Sequence, residues 1–422
     1  MKNNLNFITS TLLSPIFNNI KENPELADSA LTDELLEMMD IYSNPRELTG
    51  CLSHIATKSV ESKGRKFWTD DLGLVWLDLD QDQYDIDKTK IRESRAYRRH
   101  FRKAQVFYQD IDQIDGVTKV LNPHTRNRGT HGQSTANDAI NVATTLGLNA
   151  TLCEAGSLGH DIGQPPFSHC GEFIIQDYLQ KRFGKDYSEF EHATFGVIIL
   201  QQFEYEEYWH TNLTWETYQT IAMHSKIKIT PENLAYYPAE CFVVYFCDKN
   251  NYTWADAQDM LRNPVEEINN LKFPLEYFQL GTNPHQRAYL CKLAFIKECY
   301  KARTISYGQS TILDKFQKFR NWMFENVYFN LNRQITKDRI HETIQILEHC
   351  FPQDPLLCLA LLSDEEVIML SESKRKANGD NSWRPSKEML KSLSLNEIHH
   401  LPEGIFDFGS AQLDPRRYTK MP

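Results

Sequence analysis

The stretch GSLGHDIGQPPFSHCGE, residues 156–172, sets two histidines and two acids around a Pro-Pro pair. Imidazoles and carboxylates together suit divalent ions such as Mn, Fe, Co or Mg, and a hydrolytic centre keeps a position open for water or substrate. His160 and Asp161 are adjacent, so on a continuous helix their side chains would diverge by about 100°. They converge on one ion if the helix ends there, and Gly163 with Pro165 and Pro166 supplies that ending. A further ligand must come from elsewhere. His131 in RNRGTHGQS and Asp248 in FVVYFCDKNNYTWADAQD are the candidates. An HD dipeptide alone occurs often by chance, and a lone buried histidine is usually a satisfied core residue, so the surroundings decide.

The elements that must position these residues read as helices. The chain has 422 residues, 41% of them apolar, enough to bury a sizeable core. Most of it runs at helical period, and alternating β-branched runs are few, so a mostly α fold is expected, a helical bundle with additional N- and C-terminal helices. Three segments are expected. Residues 1–90 form short helices and an acidic, irregular stretch at 66–90 with room for a strand or inserted loop; residues 91–305 form a dense helical core; residues 306–422 form a helical region without readable chemistry. Within the last segment, KRKANGDNSWRP at 374–385 has the composition of an exposed loop.

A formal net charge of -11 disfavours an extended, sequence-independent grip on nucleic acid, which needs many cations on phosphates. Nine scattered cysteines with no CxxC pair argue for reduced thiols rather than a disulfide framework or a cysteine-built zinc site. No window has the length of apolar residues that a membrane span requires, and the N-terminus lacks a signal-peptide pattern. A soluble, cytoplasmic protein with no membrane partner is expected.

Five blocks in order, SRAYRRHFRKAQVF, TRNRGTHG, LGHDIGQPPFSHCGE, FEHA and CDKNNYTWADAQD, span about residues 92–260. Through them the chain resembles the HD-domain deoxynucleoside triphosphate triphosphohydrolases, the bacterial dGTPase family and its animal SAM-and-HD-domain relatives. The resemblance implies a metal on His131, His160, Asp161 and Asp248, and a reaction giving deoxynucleoside and tripolyphosphate. Mn or Mg is the expected ion, with Fe, Co and Zn also suited to the ligand set. The expected substrate is a deoxynucleoside triphosphate, dGTP first.

The same resemblance implies roles for other residues. His169 matches the catalytic histidine of the PFxH motif, and a histidine can protonate a leaving 5′ oxygen. Glu172, three residues on, is within helical reach of it and would fix its tautomer. His192 in FEHA resembles a further catalytic histidine; an ordinary surface histidine after two acids is the bland alternative. Arg128 and Lys249 match triphosphate-binding cations. Asp248, Tyr252 and Asp256, spaced i, i+4, i+8, share one helix stripe, with Tyr252 packing on the deoxyribose and Asp256 accepting from its 3′ hydroxyl. Gln105 resembles a glutamine near the 3′ oxygen, and Arg287 with Tyr289 resembles phosphate and 2′-position contacts of the animal branch. The basic run RESRAYRRHFRK could face the anionic cleft, a subunit interface, or simply solvent.

Two departures stand out. Gln164 occupies the place of the second histidine of an HDxGH motif, and Phe195 removes an amide usual after FEH in the bacterial branch. The family's tetramers and hexamers imply a homo-oligomer. Two competing functions are an HD phosphohydrolase of another nucleotide, and a catalytically silent protein that binds nucleotides or single-stranded nucleic acid.

Overall fold

The structure is a computed structural model that describes residues 9–43, 47–65, 82–107, 113–114, 117–118, 122–185, 190–204, 211–263, 268, 270–331, 333–352, 354–377 and 383–397. The described chain is almost entirely helical. Its strands are two residues each, Gln113–Ile114 and Val117–Thr118, paired antiparallel with Ile114 opposite Val117. Of the irregular acidic stretch expected at 66–90, residues 66–81 lie outside the described residues, and the rest is the helix Gln83–Glu93, started by Asp82 accepting from the Tyr84 N–H at 2.9 Å.

The chain forms two compact units, each assembled from non-consecutive segments: Met1–Lys58, Ser134–Glu154 and Lys226–Leu331 in one, and Ser59–Gln133, Ala155–Ser225 and Asn332–Pro422 in the other. The reason is general to helical cores, where an apolar stripe is covered by whichever helix fits it.

In the first unit the helix Ala239–Arg262 packs on Pro284–Ala302, which also carries Thr311–Met323 and Ser29–Ser43. Phe246 stacks on Phe295 at 4.2 Å and Trp254 on Phe319 at 4.8 Å. Asn283 caps the helix Pro284–Ala302, with Pro284 in the first turn where its missing N–H costs nothing. Buried Glu34 joins three segments, accepting from Lys297, the Ser310 hydroxyl and the Ile312 N–H.

In the second unit the helix Gln334–Cys350 packs against His169–Phe183, Pro355–Leu361 and Asp364–Lys376, while His192–Gln202 packs on Trp215–Met223. Buried Asp87 takes the Arg65 guanidinium on one oxygen and, on the other, the Thr214 N–H and the hydroxyls of Thr214 and Thr217, which fixes where Trp215–Met223 begins. Lys374, Arg375 and Lys376, expected in an exposed loop, instead close the Asp364–Lys376 helix, where their charge complements the carbonyl end. A capping box of Ser363 and Glu366 starts that helix. Of the expected loop, residues 378–382 lie outside the described residues. All nine cysteines are free thiols, and all but Cys350 are buried.

Candidate functional site

The helix Ala150–Gly159 stops one residue before His160. The chain then turns tightly, with Ile162 N–H donating to Gly159 O at 3.1 Å and Gln164 N–H to Asp161 O at 2.8 Å. Gly163 makes the turn possible by close approach: a Cβ there would strike the His192 carbonyl and the Gly196 amide. Two residues of the basic run grip the turn from outside. His100 Nε2 donates to Asp161 O at 2.7 Å, and the Lys103 ammonium donates to Gln164 O. Burial pushes His100 down to about 3, so its ring is neutral, and pushes Lys103 down to about 7. The run therefore has no single face: Arg98 is exposed, Arg99 is buried 3.8 Å from Glu204, and His100 and Lys103 hold the HD turn.

Around the Asp161 carboxylate the second unit gathers cations and imidazoles. Oδ2 lies 2.5 Å from Arg128 Nη1, 3.3 Å from His160 Nε2 and 3.9 Å from His131 Nε2. Oδ1 lies 3.6 Å from His192 Nε2. Arg128 and His131 stand one turn apart at the start of the helix Arg128–Leu146, so both point the same way. Burial alone would raise the Asp161 pKa; Arg128, His160 and His131 overcome it and hold the carboxyl well below the usual range. His160 Nδ1 donates to Ser157 O at 2.6 Å, which leaves the Nε2 lone pair for a metal. Two ligand atoms at a right angle, each about 2.1 Å from an ion, stand about 3 Å apart. The His160–Asp161 separation meets that demand, so these residues fit a divalent cation.

Beside this cluster the helix His169–Phe183 begins from two strained residues. Phe167 and Ser168 have φ of 58° and 60°, a region costly for side-chain-bearing residues. They are held there by Asp364, whose Oδ1 accepts the Phe167 N–H at 2.8 Å, and by Arg128, which donates to the Ser168 hydroxyl. Burial pushes Asp364 up to about 6. His169 emerges exposed, with Nδ1 on Glu172 Oε2. Glu172 Oε1 takes His192 Nδ1 at 2.6 Å and the His192 N–H at 3.0 Å. One carboxylate thus orients both imidazoles; burial works against its ionisation, and His192 and His169 override it to hold Glu172 well below its usual range. Gln105 is buried nearby, its backbone oxygen accepting from Arg128 and the Ser168 hydroxyl, each at 3.2 Å, while its side-chain oxygen has no partner among the described residues. Buried Gln164 likewise presents an unpartnered side-chain oxygen, and Phe195 is core, packed on Phe190 at 5.3 Å.

In the first unit, Asp248, Lys249, Tyr252 and Asp256 lie on the helix Ala239–Arg262. Tyr252 OH accepts from Arg320 Nε at 2.6 Å, and Tyr328 OH donates to Asp256 Oδ2 at 2.8 Å. The Lys249 ammonium lies 3.8 Å from Asp248 Oδ2 and 3.8 Å from the Tyr245 ring centre. Arg287 is buried, donating from Nε to Tyr277 O at 2.5 Å with its guanidinium over the Tyr277 ring, whereas Tyr289 is exposed beneath Lys292.

Sequence reasoning missed His224, Asp364 and the two grips His100 and Lys103. His224 caps the C-terminal end of Trp215–Met223, buried beside His160 with ring centres 4.9 Å apart. Its only sequence signal is one histidine in IAMHSK.

A helical unit with an adjacent His-Asp pair at the end of one helix and a histidine on the preceding helix is the arrangement of an HD domain, and the family model described as HD domain matches residues 128–252. Over those residues the chain is similar to that family. It is similar, further, to proteins named deoxyguanosinetriphosphate triphosphohydrolase-like protein: 36% identical over 176 residues to that of Neorickettsia sennetsu, covering 41% of this chain and 40% of the relative. The relative from Clostridium tetani is 28% identical over 282 residues, 64% of this chain and 72% of its own length. That from Rickettsia typhi is 30% identical over 207 residues, 45% of this chain and 50% of its own. The matched stretch thus spans less than two thirds of two of these three relatives.

Proposed function

We propose that this chain hydrolyses a deoxynucleoside triphosphate, dGTP first, at the α-phosphorus, releasing deoxynucleoside and tripolyphosphate. The observation that carries it is the shared Asp161 cluster beside a solvent-facing, carboxylate-held His169. His131, His160 and Asp161 hold a divalent cation, Mn or Mg, with Fe, Co or Zn also compatible; Asp248 is assigned as the further ligand on motif order. When bound, the ion supplies Lewis acidity to the phosphate and to the attacking water.

The chain's own side chains do the rest. Water oxygen bonds to the α-phosphorus as the bond to the 5′ oxygen breaks. His169, with its Nδ1 hydrogen held by Glu172, acts from the doubly protonated ring, passing the Nε2 proton to that 5′ oxygen and ending as the neutral ring, and the proton lost by the water passes to solvent. Arg128 and Lys249 take charge on the triphosphate, and Arg287 with Tyr289 contributes at the phosphate and 2′ positions. Tyr252, Asp256 and Gln105 read the deoxyribose. The names of the similar proteins support this substrate class. A homo-oligomer, tetramer or hexamer, belongs to the same proposal and is read by light scattering.

The test is incubation with each of the four deoxynucleoside triphosphates and Mn, followed by separation of phosphate products. Tripolyphosphate with free deoxynucleoside is expected. Pyrophosphate or orthophosphate would point to another nucleotide reaction, and tight nucleotide or single-strand binding without turnover to a silent site.

A further inference from the structure

We propose that Arg320 and Tyr328 are positioning residues that hold Tyr252 and Asp256 in place to read the sugar, and so commit the site to 2′-deoxy nucleotides with a 3′ hydroxyl. The inference rests on the proposed function, which assigns Tyr252 and Asp256 to the deoxyribose, and adds the two side chains that set them.

Both come from a part of the chain whose sequence shows no readable chemistry. The helix Thr311–Met323 runs directly into a wide π-type turn, Phe324–Tyr328. Such turns are rare and occur frequently at functional sites. Arg320 stands on the last turn of the α-helix, and Tyr328 ends the π turn. The helix Ala239–Arg262 packs against Thr311–Met323, and all of these elements belong to the first unit. On that helix Tyr245, Asp248, Tyr252 and Asp256, at steps of three and four, share one face.

Arg320 engages Tyr252 twice. Its Nε donates to the Tyr252 hydroxyl at 2.6 Å, and its guanidinium carbon stands 5.8 Å from that ring's centre and 5.1 Å from the centre of Phe324. A planar guanidinium both hydrogen-bonds and stacks, which a lysine ammonium does not reproduce. Burial pushes Tyr252 above the usual phenol range although Arg320 pulls it down, so the hydroxyl is neutral and accepts a strong, charge-assisted bond. The ring is then fixed at its far end as well as at its backbone. A ring so pinned cannot swing aside for a 2′ hydroxyl on a sugar packed against it.

Tyr328 does the same for Asp256. Its hydroxyl donates to Asp256 Oδ2 at 2.8 Å. Burial first, and the Asp256 charge next, push Tyr328 well above the usual phenol range, so the hydrogen stays on the phenol. Its ring meets Phe324 edge-on at 4.9 Å, and Phe324 thereby touches both positioning residues. A carboxylate offers several acceptor sites, so with one taken by Tyr328 the plane of Asp256 is set for a sugar hydroxyl to donate to another. Two part-buried polar ties, each ending on a residue assigned to the sugar, exceed what packing of these elements requires. Apolar side chains would join them at lower desolvation cost.

The experiment measures kcat/KM of the full-length protein with Mn for dGTP, GTP and 2′,3′-dideoxyguanosine triphosphate, in wild type, Arg320→Met, Arg320→Lys and Tyr328→Phe. A pocket that rejects an added hydroxyl by packing does so by about 100-fold, so wild type should favour dGTP over GTP by about that ratio. Arg320→Met keeps the length without the donor and should lower the ratio about tenfold, through better use of GTP, with Arg320→Lys between. Tyr328→Phe should keep that ratio and instead lower the preference for dGTP over the dideoxy nucleotide, again about tenfold. Equal losses on all three nucleotides, with both ratios kept, would overturn the proposal and leave Arg320 and Tyr328 as ties between helices. Where Arg320→Met does not fold, Arg320→Lys and Tyr328→Phe carry the same test. Unchanged ratios in a protein that makes tripolyphosphate sink this inference and leave the function standing. A wild type that binds nucleotides without turnover fails the function instead, and the same ratios are then read from dissociation constants by equilibrium dialysis. Binding of none of the three overturns both.

Discussion

Asp364 Oδ1 accepts the backbone N–H of Phe167 at 2.8 Å, across 197 positions of sequence. Its other oxygen accepts the Ala104 N–H, also at 2.8 Å. One side chain from the C-terminal region thereby pins the residue at φ 58° that sets up His169, and the chain segment leading to Gln105.

Asp364→Ala should therefore cost both stability and turnover. The buried Phe167 N–H loses its acceptor, at about 1–3 kcal/mol, the part-buried Ala104 N–H loses its own, and the strained Phe167–Ser168 pair is free to relax. Urea denaturation should show the loss, and kcat should fall more than KM rises, with Mn content retained. Asp364→Asn, which keeps one good acceptor, should lie between. A variant with wild-type kcat would mean that Phe167 needs no such restraint.

His169→Ala is expected to lower turnover by about two to four orders of magnitude while metal content stays unchanged, because the ring supplies a proton and is not among the assigned ligands. Steady-state kinetics beside metal analysis on one preparation reads both. Unchanged turnover would remove His169 from the reaction.

The neutral, buried His100 makes stability pH-dependent. Its folded pKa is lowered to about 3 by burial, against the ordinary value near 6.5, so between those values the unfolded chain binds more protons than the folded one. Its contribution is fully present above pH 6.5 and is lost as pH falls toward 3. His100→Gln keeps an N–H donor for Asp161 O without a titrating ring. The drop in urea midpoint between pH 7 and pH 5 should be smaller in the variant; an equal drop would show that His100 is not the group responsible.

Gly163→Ala places a methyl against the His192 carbonyl and the Gly196 amide, backbone atoms that cannot swing aside. Overpacking of this kind costs about 1–3 kcal/mol, and the HD turn should shift with it. A lowered melting temperature together with weakened Mn binding is expected; full Mn affinity would show that the turn tolerates the displacement.

What the sequence revealed follows from where each signal lies. The helical class was readable from periodicity, and His131, His160, Asp161, His169 and Glu172 were readable because they sit in dense local motifs. Glu172 pairs with His169 across one helical turn, a spacing visible in the letters. His224 carries no such pattern, since its role comes from a helix end delivered to His160 by tertiary packing. Asp364 lay in a region without any readable chemistry, and its partners are separated from it by 197 and 260 positions. Lys103 was read as one charge of the basic run and His100 was not singled out, whereas both are buried donors to two carbonyls.

The central claim is attack at the α-phosphorus with departure of the 5′ oxygen, and hydrolysis of dGTP in ¹⁸O-labelled water tests it most directly. The label should appear in tripolyphosphate, with none in the 5′ hydroxyl of deoxyguanosine. Label in the deoxyguanosine, or release of a monophosphate in place of tripolyphosphate, would contradict the account.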